Sequence, residues 1–184
     1  MDINAKLLKA SVKLVQLMDE TADENLPREI ADVVKLHSKL AVGSAWIPIP
    51  GADVAAGAAN IWGMYVRINN KLRIPFGENV MKSIGSGVAT NLAGYAAVSG
   101  VASALKFIPG IGTIGGAILM SATIYGLTLA SGWIYLNALS LVAAKEGNAF
   151  SASDISKAVN DLLRDKTTIK NFIDEAKKTY KRTQ

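Results

Sequence analysis

The feature that most constrains this chain is a long central stretch that is almost free of charge. Between Ser83 and Ala144 the only charged residue is Lys106, whereas residues 1–39 carry thirteen charges and residues 145–184 carry fifteen. The stretch is rich in small and apolar residues, and a monomer could not leave so much apolar surface in water. It must therefore be buried in a helical core, in an assembly or in a membrane.

Hydrophobic periodicity predicts helices through most of the chain. Apolar residues recur every three or four positions in both terminal regions, as in amphipathic helices, and strand-like alternation is absent. Proline and glycine interrupt the pattern at several points. The predicted helices cover residues 3–20, 27–44, 52–72, 78–105 and 113–144, with two short amphipathic helices in the tail.

We therefore predict an all-α fold, a helical bundle built around a long apolar hairpin. The chain divides into amphipathic N-terminal helices (1–45), a hydrophobic region with the hairpin (46–144) and charged C-terminal helices (145–184). The first tail helix is expected to begin with a capping box, since Ser151 and Asp154 have the required spacing.

The turn of the hairpin is predicted at Lys106, Pro109, Gly110 and Gly112, which combine one charge with helix breakers. Gly110, Gly112 and Gly115 also match the spacing of a dinucleotide-binding loop. That function needs a preceding strand and an acidic residue about twenty positions downstream, and neither is present. We expect no cofactor and interpret the glycines as a tight turn followed by a close-packing surface.

Small residues occur four positions apart throughout the central stretch, so that each pair lies on one face of a helix. This spacing lets helix backbones approach closely, as in the association of membrane helices. Close packing inside a soluble bundle would use the same pairs. The glycines predicted to pack are Gly87, Gly100, Gly116, Gly126 and Gly132.

The two arms of the predicted hairpin differ in their suitability for a membrane. Residues 84–105 are long enough to cross the hydrocarbon layer but contain serines, glycines and an asparagine, so insertion of this arm alone would be marginal. Residues 117–139 are richer in large apolar side chains and could insert independently. Basic residues flank both open ends of the hairpin, which predicts that these ends stay cytoplasmic. These basic residues are Lys71, Arg73, Lys82 and Lys145.

Few titratable residues are placed to perform chemistry. The chain has no cysteine and a single histidine, His37, on the apolar side of the second predicted helix. We expect a buried, hydrogen-bonded histidine, with a pH switch as the functional alternative. Asp53 follows Pro50 and Gly51, where a carboxylate can cap a helix; contact with an ion or a partner is the alternative. No pair of titratable residues shares an identifiable site, so we predict neither an enzyme nor a metal site.

The composition favours a protein of the cell interior. The N-terminus lacks the apolar core and cleavage site of a secretory signal, and the absence of cysteine fits a reducing compartment. The net charge of +5 suits an anionic lipid surface. Nucleic-acid binding is not expected, because there is no basic cluster with interleaved aromatic residues.

Three short motifs resemble a known family. They are Ile47-Pro-Ile-Pro-Gly-Ala-Asp53, Leu105-Lys-Phe-Ile-Pro-Gly-Ile-Gly112 and Ala122-Thr123-Ile-Tyr-Gly126. Together they resemble the helical domain at the C-terminus of YcjF-like inner-membrane proteins and of some Era-like bacterial GTPases, over about residues 46–140. The resemblance implies membrane association and a nucleotide switch as partner. No GTPase domain accompanies the motifs here, so that partner would be a separate protein.

These observations predict a membrane-associated, self-assembling helical protein that acts as a scaffold, remodeller or partner-docking module. Its expected partners are a lipid membrane, further copies of the chain and a separate GTPase. Its expected location is the cytoplasmic side of a bacterial inner membrane, or the cytoplasm with membrane association. In this interpretation the Ser/Thr/Gly side of the helix over 113–144, with Ser131 and Gly132, packs against the preceding helix. The alternatives are a pore-forming or toxin-like protein that inserts the hairpin, and a soluble helical adaptor for a GTPase.

Overall fold

The described part of the chain is helical. The computed structural model describes residues 28–44, 52–98, 115–146 and 150–167, with side chains for 28–42, 57–92, 124–146 and 150–167. These residues form five α-helices and no strand: α1 (Arg28–Ser44), α2 (Ala52–Leu72), α3 (Glu78–Val98), α4 (Gly115–Glu146) and α5 (Ala152–Arg164). The prediction of an all-α fold is confirmed, and α4 is the longest helix and a strongly apolar one.

The first four helices pack side by side as a bundle. α1 and α3 run antiparallel to α2, whereas α4 runs parallel to it. α2 packs most extensively against α3, α4 packs mainly against α1, and α5 contacts both α4 and α3. Two contacts on each helix pair fix these directions. Between α1 and α2, His37 contacts Asn60, and Asp32 and Arg67 line the same groove. Between α2 and α3, Trp62 lies against Gly85 and Asn69 contacts Met81; between α2 and α4, Tyr65 contacts Ser131 and Asn69 contacts Tyr135.

The bundle encloses a core of aromatic, aliphatic and sulfur-containing side chains. Its largest fully buried members are Tyr65, Tyr125, Tyr135, Met64, Ile68 and Met81. In the part of the chain that the structure describes, the large hydrophobic side chains that remain exposed are Leu36, Leu40, Leu72 and Leu141. The described helices therefore cover most of their large apolar side chains by packing against one another.

The end of α2 turns the chain towards α3 through a Schellman motif. Ile74 donates its backbone N–H to the carbonyl of Asn69 at 2.9 Å, and Arg73 donates to the carbonyl of Asn70 at 3.4 Å. Arg73 has a φ of 57°, a left-handed conformation that glycine adopts without the steric cost that a Cβ brings. The chain thus keeps an arginine at a position where glycine is the usual residue.

The predicted capping box at the start of α5 is confirmed. Ser151 occupies the N-cap position, and its hydroxyl accepts a hydrogen bond from the backbone N–H of Asp154. In return the Asp154 carboxylate accepts from the backbone N–H of Ser151 at 2.8 Å. The Ser151 hydroxyl also lies 2.6 Å from the Asp154 carboxylate and can donate to it. This bond and the one from the Ser151 backbone N–H lower the pKa of the Asp154 carboxyl, because both favour its charged form.

The predicted packing of the Ser/Thr/Gly side of α4 against α3 is wrong for Ser131 and Gly132. Ser131 is hydrogen-bonded to Tyr65 of α2. Gly132 faces α1, and a Cβ added to it would lie 2.8 Å from a methyl carbon of Val34. The reason is steric, since a residue without a side chain provides the space into which the branched Val34 fits.

Candidate functional site

A buried polar network connects α2, α3 and α4 near the C-terminus of α2 and the N-terminus of α3. The Tyr135 hydroxyl donates to Oδ1 of Asn69 at 2.7 Å and lies 3.0 Å from Sδ of Met81. The side-chain amide of Asn69 donates to the same sulfur at 2.9 Å. All three residues are buried, so each hydrogen bond satisfies a group that water cannot reach. The network joins the apolar α4 to its neighbours with a defined register.

A second polar contact lies one helical turn away on α2. The Tyr65 hydroxyl donates to the backbone carbonyl of Ser131 at 3.1 Å and also lies 2.8 Å from Oγ of Ser131. The Tyr65 and Tyr135 rings stack, with centroids 4.1 Å apart and planes at 13°. Ser131 is buried between α2 and α4, and its hydroxyl is bonded within the protomer.

His37 is buried between α1 and α2 and is held by Asn60. Its Nδ1 lies 2.9 Å from Oδ1 of Asn60, whose amide group donates to the His37 carbonyl at 2.7 Å. Since Oδ1 can only accept, Nδ1 carries the proton and donates. Nε2 is buried and has no hydrogen-bond partner among the described residues.

The surroundings of His37 favour the neutral imidazole. Burial is the main cause that lowers its pKa from 6.5, and the positive charge of Arg67 adds to the effect. The hydrogen bonds with Asn60 act in the opposite direction but do not reverse it. Protonation would place a charge between α1 and α2, so we expect acid to destabilise the packing of these two helices at His37.

Charge is distributed unequally between the two ends of the bundle. The end that we name the charged end holds the N-termini of α1 and α3, the C-termini of α2 and α4, and α5. The opposite end, which we name the uncharged end for its charge-free α3 and α4, comprises residues 35–44, 52–66, 83–98 and 115–132. In these four ranges the charged residues are Asp53, near the start of α2, and Lys35 and Lys39 of α1, so α3 and α4 carry no charge at this end.

Four polar side chains of α3 and α4 bond to the backbone of their own helices. On the exposed face of α3, Thr90 donates to the carbonyl of Ser86 and Asn91 donates to the carbonyl of Gly87, each at 2.9 Å. Thr128 and Asn137 of α4 make the corresponding bonds to the carbonyls four residues earlier, also at 2.9 Å. Polar groups satisfied in this way can be removed from water at a lower cost in free energy.

One described helix is long and apolar enough to cross a membrane, judged by length and composition. The candidate segment is Ile124–Glu146, which has 23 residues. Within it, 56% of an apolar stretch of 18 residues is buried inside the bundle. The core helix of a soluble protein can meet the same criteria. The length and composition of this segment are therefore weak evidence when considered alone.

The glycines predicted to mediate packing have different environments. Gly132 contacts Val34, as described above, whereas Gly87 is exposed and no described atom lies within 4 Å of the position that its Cβ would occupy. Gly126 is buried, so a charged residue there would disturb the core before it could test membrane insertion. Gly116 lies in the first turn of α4, and Gly100 lies outside the described residues.

Several other predicted positions also fall at or beyond the limits of the described residues. Asp53 is the second residue of α2, in the turn where a carboxylate complements the helix dipole, but its side chain is not among those described. Lys106, Pro109, Gly110 and Gly112 of the predicted turn lie outside the described residues, as does the predicted helix over 3–20. Among the described residues no group of three or more acidic, histidine or cysteine residues could hold a metal ion.

Two structural features were missed by reasoning from the sequence. The polar network has a signal in the spacing, because Tyr65 and Asn69 on α2 are four residues apart, as are Ser131 and Tyr135 on α4. The closest helix contact is made by Gly85, where an added Cβ would lie 2.7 Å from Cβ of Trp62. Gly85 and Ala89 also have the small-residue spacing, as do Ser83 and Gly87, so the spacing alone does not distinguish the packed face from the exposed one.

Comparison with known proteins gives one relative of limited similarity. No protein-family model matches the chain, and no solved structure matches it. The chain is 28% identical over 106 residues to Magnetosome membrane protein 22 of Magnetospirillum gryphiswaldense. The match covers 57% of this chain and 54% of the relative, so the chain spans about half the length of the curated relative it matches.

Proposed function

We propose that this chain is a membrane-associated helical protein without enzymatic activity, which assembles with further copies and acts as a scaffold, remodeller or partner-docking module. The observation that carries the proposal is the division of the bundle into a charged and an uncharged end. Such a division suits a protein at a lipid surface, where one end contacts hydrocarbon and the other contacts headgroups and water. The similarity to a magnetosome membrane protein supports the membrane association.

The uncharged end is the part that we assign to the lipid. Its exposed α3 face carries Ser83, Gly87, Thr90 and Gly94 and no charge, and the hydroxyl of Thr90 is bonded to its own helix. Contact with lipid would cost this face little, because backbone and side-chain groups keep their partners. The bacterial inner membrane, approached from its cytoplasmic side, is the membrane that we propose, with a separate GTPase as partner.

Self-assembly is the part of the proposal that depends on the same α3 face. Gly87 and Gly94 have no described atom within 4 Å of their Cβ positions, so a helix of a second copy could approach closely there. The substitution Gly87→Leu leaves the protomer packing intact but blocks that approach. Light scattering in mild detergent should show an oligomer for the natural chain and a smaller species for Gly87→Leu. A monomer in both cases would contradict self-assembly.

One observation favours a soluble adaptor as the second candidate. Just over half of the apolar stretch in the candidate membrane span Ile124–Glu146 is already buried inside the bundle, as in the core helix of a soluble protein. A pore is less well supported, because the hydroxyl groups of Ser131 and Thr128 are bonded within the protomer.

Cell fractionation separates these candidates. We expect the chain in the membrane pellet, released by detergent and retained at least in part after carbonate extraction. A soluble adaptor would be found in the supernatant before any extraction, and that result would overturn the proposed function.

A further inference from the structure

An open groove between α1 and α2 brings basic and apolar side chains together on one surface. The groove is lined by Asp32, Val33, Leu36, Arg67, Asn70 and Lys71. Leu36 is 43% exposed, and Leu40, one turn further along α1, is 52% exposed. Two of the four large hydrophobic side chains that are exposed in the described residues therefore lie in or beside this groove, which we name the α1–α2 groove.

The basic side chains of the α1–α2 groove are available to bind a ligand. Arg67 and Lys71 lie four residues apart on α2, both are exposed, and neither has an ion-pair partner among the described residues. The carboxylate of Asp32 lies 3.6 Å from Nζ of Lys35 on its own helix, which offsets its charge. The polar end of the groove thus has an excess of positive charge, with the Asn70 amide beside it.

The order of these residues along the groove matches the polarity of a phospholipid. Lys71 and Arg67 lie towards the charged end of the bundle, because they are near the C-terminus of α2. Leu36 and then Leu40 lie towards the uncharged end, because α1 runs antiparallel to α2. A molecule aligned with the groove would therefore meet cationic groups first and leucine side chains next.

We propose that the α1–α2 groove binds an anionic phospholipid, with the phosphate group at Arg67 and Lys71 and an acyl chain along Leu36 and Leu40. This inference rests on the proposed membrane association and names the lipid class that the bundle recognises. A guanidinium and an ammonium group are well suited to phosphate oxygens. A free phosphate would engage the basic residues alone and leave both leucines in water, so a lipid uses more of the surface.

Vesicle flotation with the purified full chain tests this proposal. The vesicles contain phosphatidylcholine alone or phosphatidylcholine with phosphatidylglycerol. The groove variant is Arg67→Gln/Lys71→Gln, and the matched control is Lys82→Gln/Lys157→Gln, which loses the same charge at exposed sites on α3 and α5. The natural chain should bind anionic vesicles more tightly than neutral ones. The groove variant should lose roughly tenfold or more of its affinity for anionic vesicles, and the control should lose clearly less.

A second variant tests the apolar half of the groove. Leu36→Ser/Leu40→Ser changes exposed side chains, so the helical circular-dichroism spectrum should be unchanged while anionic-vesicle binding weakens. Unchanged binding by this variant, or an equal loss in the two charge variants, would overturn the proposal. Equal binding of the natural chain to both vesicle types would overturn it and leave membrane association standing. Binding to neither type would instead reject the proposed function, and this inference with it.

Discussion

The hydroxyl of Tyr135 on α4 donates a hydrogen bond of 2.7 Å to Oδ1 of Asn69 on α2, in the core of the bundle. α4 is apolar on all sides, so hydrophobic burial alone does not determine which side faces α2. A directional bond between two buried groups does determine it, because rotation or sliding of α4 would leave both groups without partners.

Removal of this hydroxyl should destabilise the fold. Tyr135→Phe keeps the ring stacked on Tyr65 but leaves Asn69 Oδ1 buried without a donor, and we expect a loss of about 1–3 kcal/mol in the free energy of unfolding. Chemical denaturation followed by circular dichroism measures the loss. In the double variant Tyr135→Phe/Asn69→Leu the buried amide oxygen is gone and only the weakly accepting Met81 sulfur loses its donors, so its loss should be smaller than the sum of the two single losses. Additive losses would show that the bond does not couple the two helices.

Stability should fall in mild acid because of His37. Its pKa is lowered in the folded state, so the unfolded chain binds a proton near pH 6.5 while the folded chain does not yet do so. The stability linked to this group is therefore complete above about pH 6.5 and decreases as the pH falls below that value. Denaturation midpoints measured between pH 7.5 and pH 5 test this.

The matched control for this pH effect is His37→Gln, which cannot titrate but can still bond to Asn60. Its midpoint should be nearly constant over the same pH interval, which lies above the range where most carboxyl groups titrate. A slope as steep as that of the natural chain would assign the effect to other residues.

Two glycines on α3, two residues apart, should respond in opposite ways to the same substitution. An alanine Cβ at Gly85 would lie 2.7–2.9 Å from Trp62 atoms that include its backbone, so Gly85→Ala should cost about 1–3 kcal/mol through displacement of α2. Gly87→Ala meets no described atom and should stabilise the helix by up to about 1 kcal/mol. Thermal unfolding of both variants measures the difference, and equal shifts would contradict the described packing of α2 on α3.

The end of α2 offers a stabilising substitution. Arg73→Gly relieves the left-handed conformation of a residue with a Cβ and should stabilise the fold by roughly 0.5–1 kcal/mol. Arg73→Ala removes the same charge but keeps the Cβ, so it should give no such gain. A gain of equal size in both variants would attribute the effect to charge.

The sequence predicted the helices well but predicted their contacts poorly. Prolines, glycines and the cap at Ser151 mark the helix ends, and the predicted helix over 52–72 coincides with α2 (Ala52–Leu72). The faces of α3 and α4 could not be deduced in the same way, because these helices are apolar or small-residue-rich on every side. Contacts such as Gly85 with Trp62 depend on shape in three dimensions, which a one-dimensional hydrophobic pattern does not contain.

The central claim is that the uncharged end of the bundle contacts lipid, and one charge placed there tests it most directly. Thr90 is exposed on α3 at this end, whereas Asn160 is exposed on α5 at the charged end. Thr90→Arg and Asn160→Arg are compared with the natural chain by flotation with phosphatidylcholine vesicles, which carry no net charge. An arginine at the centre of a membrane helix costs about 2.5–3.5 kcal/mol, so Thr90→Arg should reduce binding by on the order of a hundredfold. Asn160→Arg should bind as the natural chain does. If the two variants bind equally well, the uncharged end is not the lipid-contacting surface.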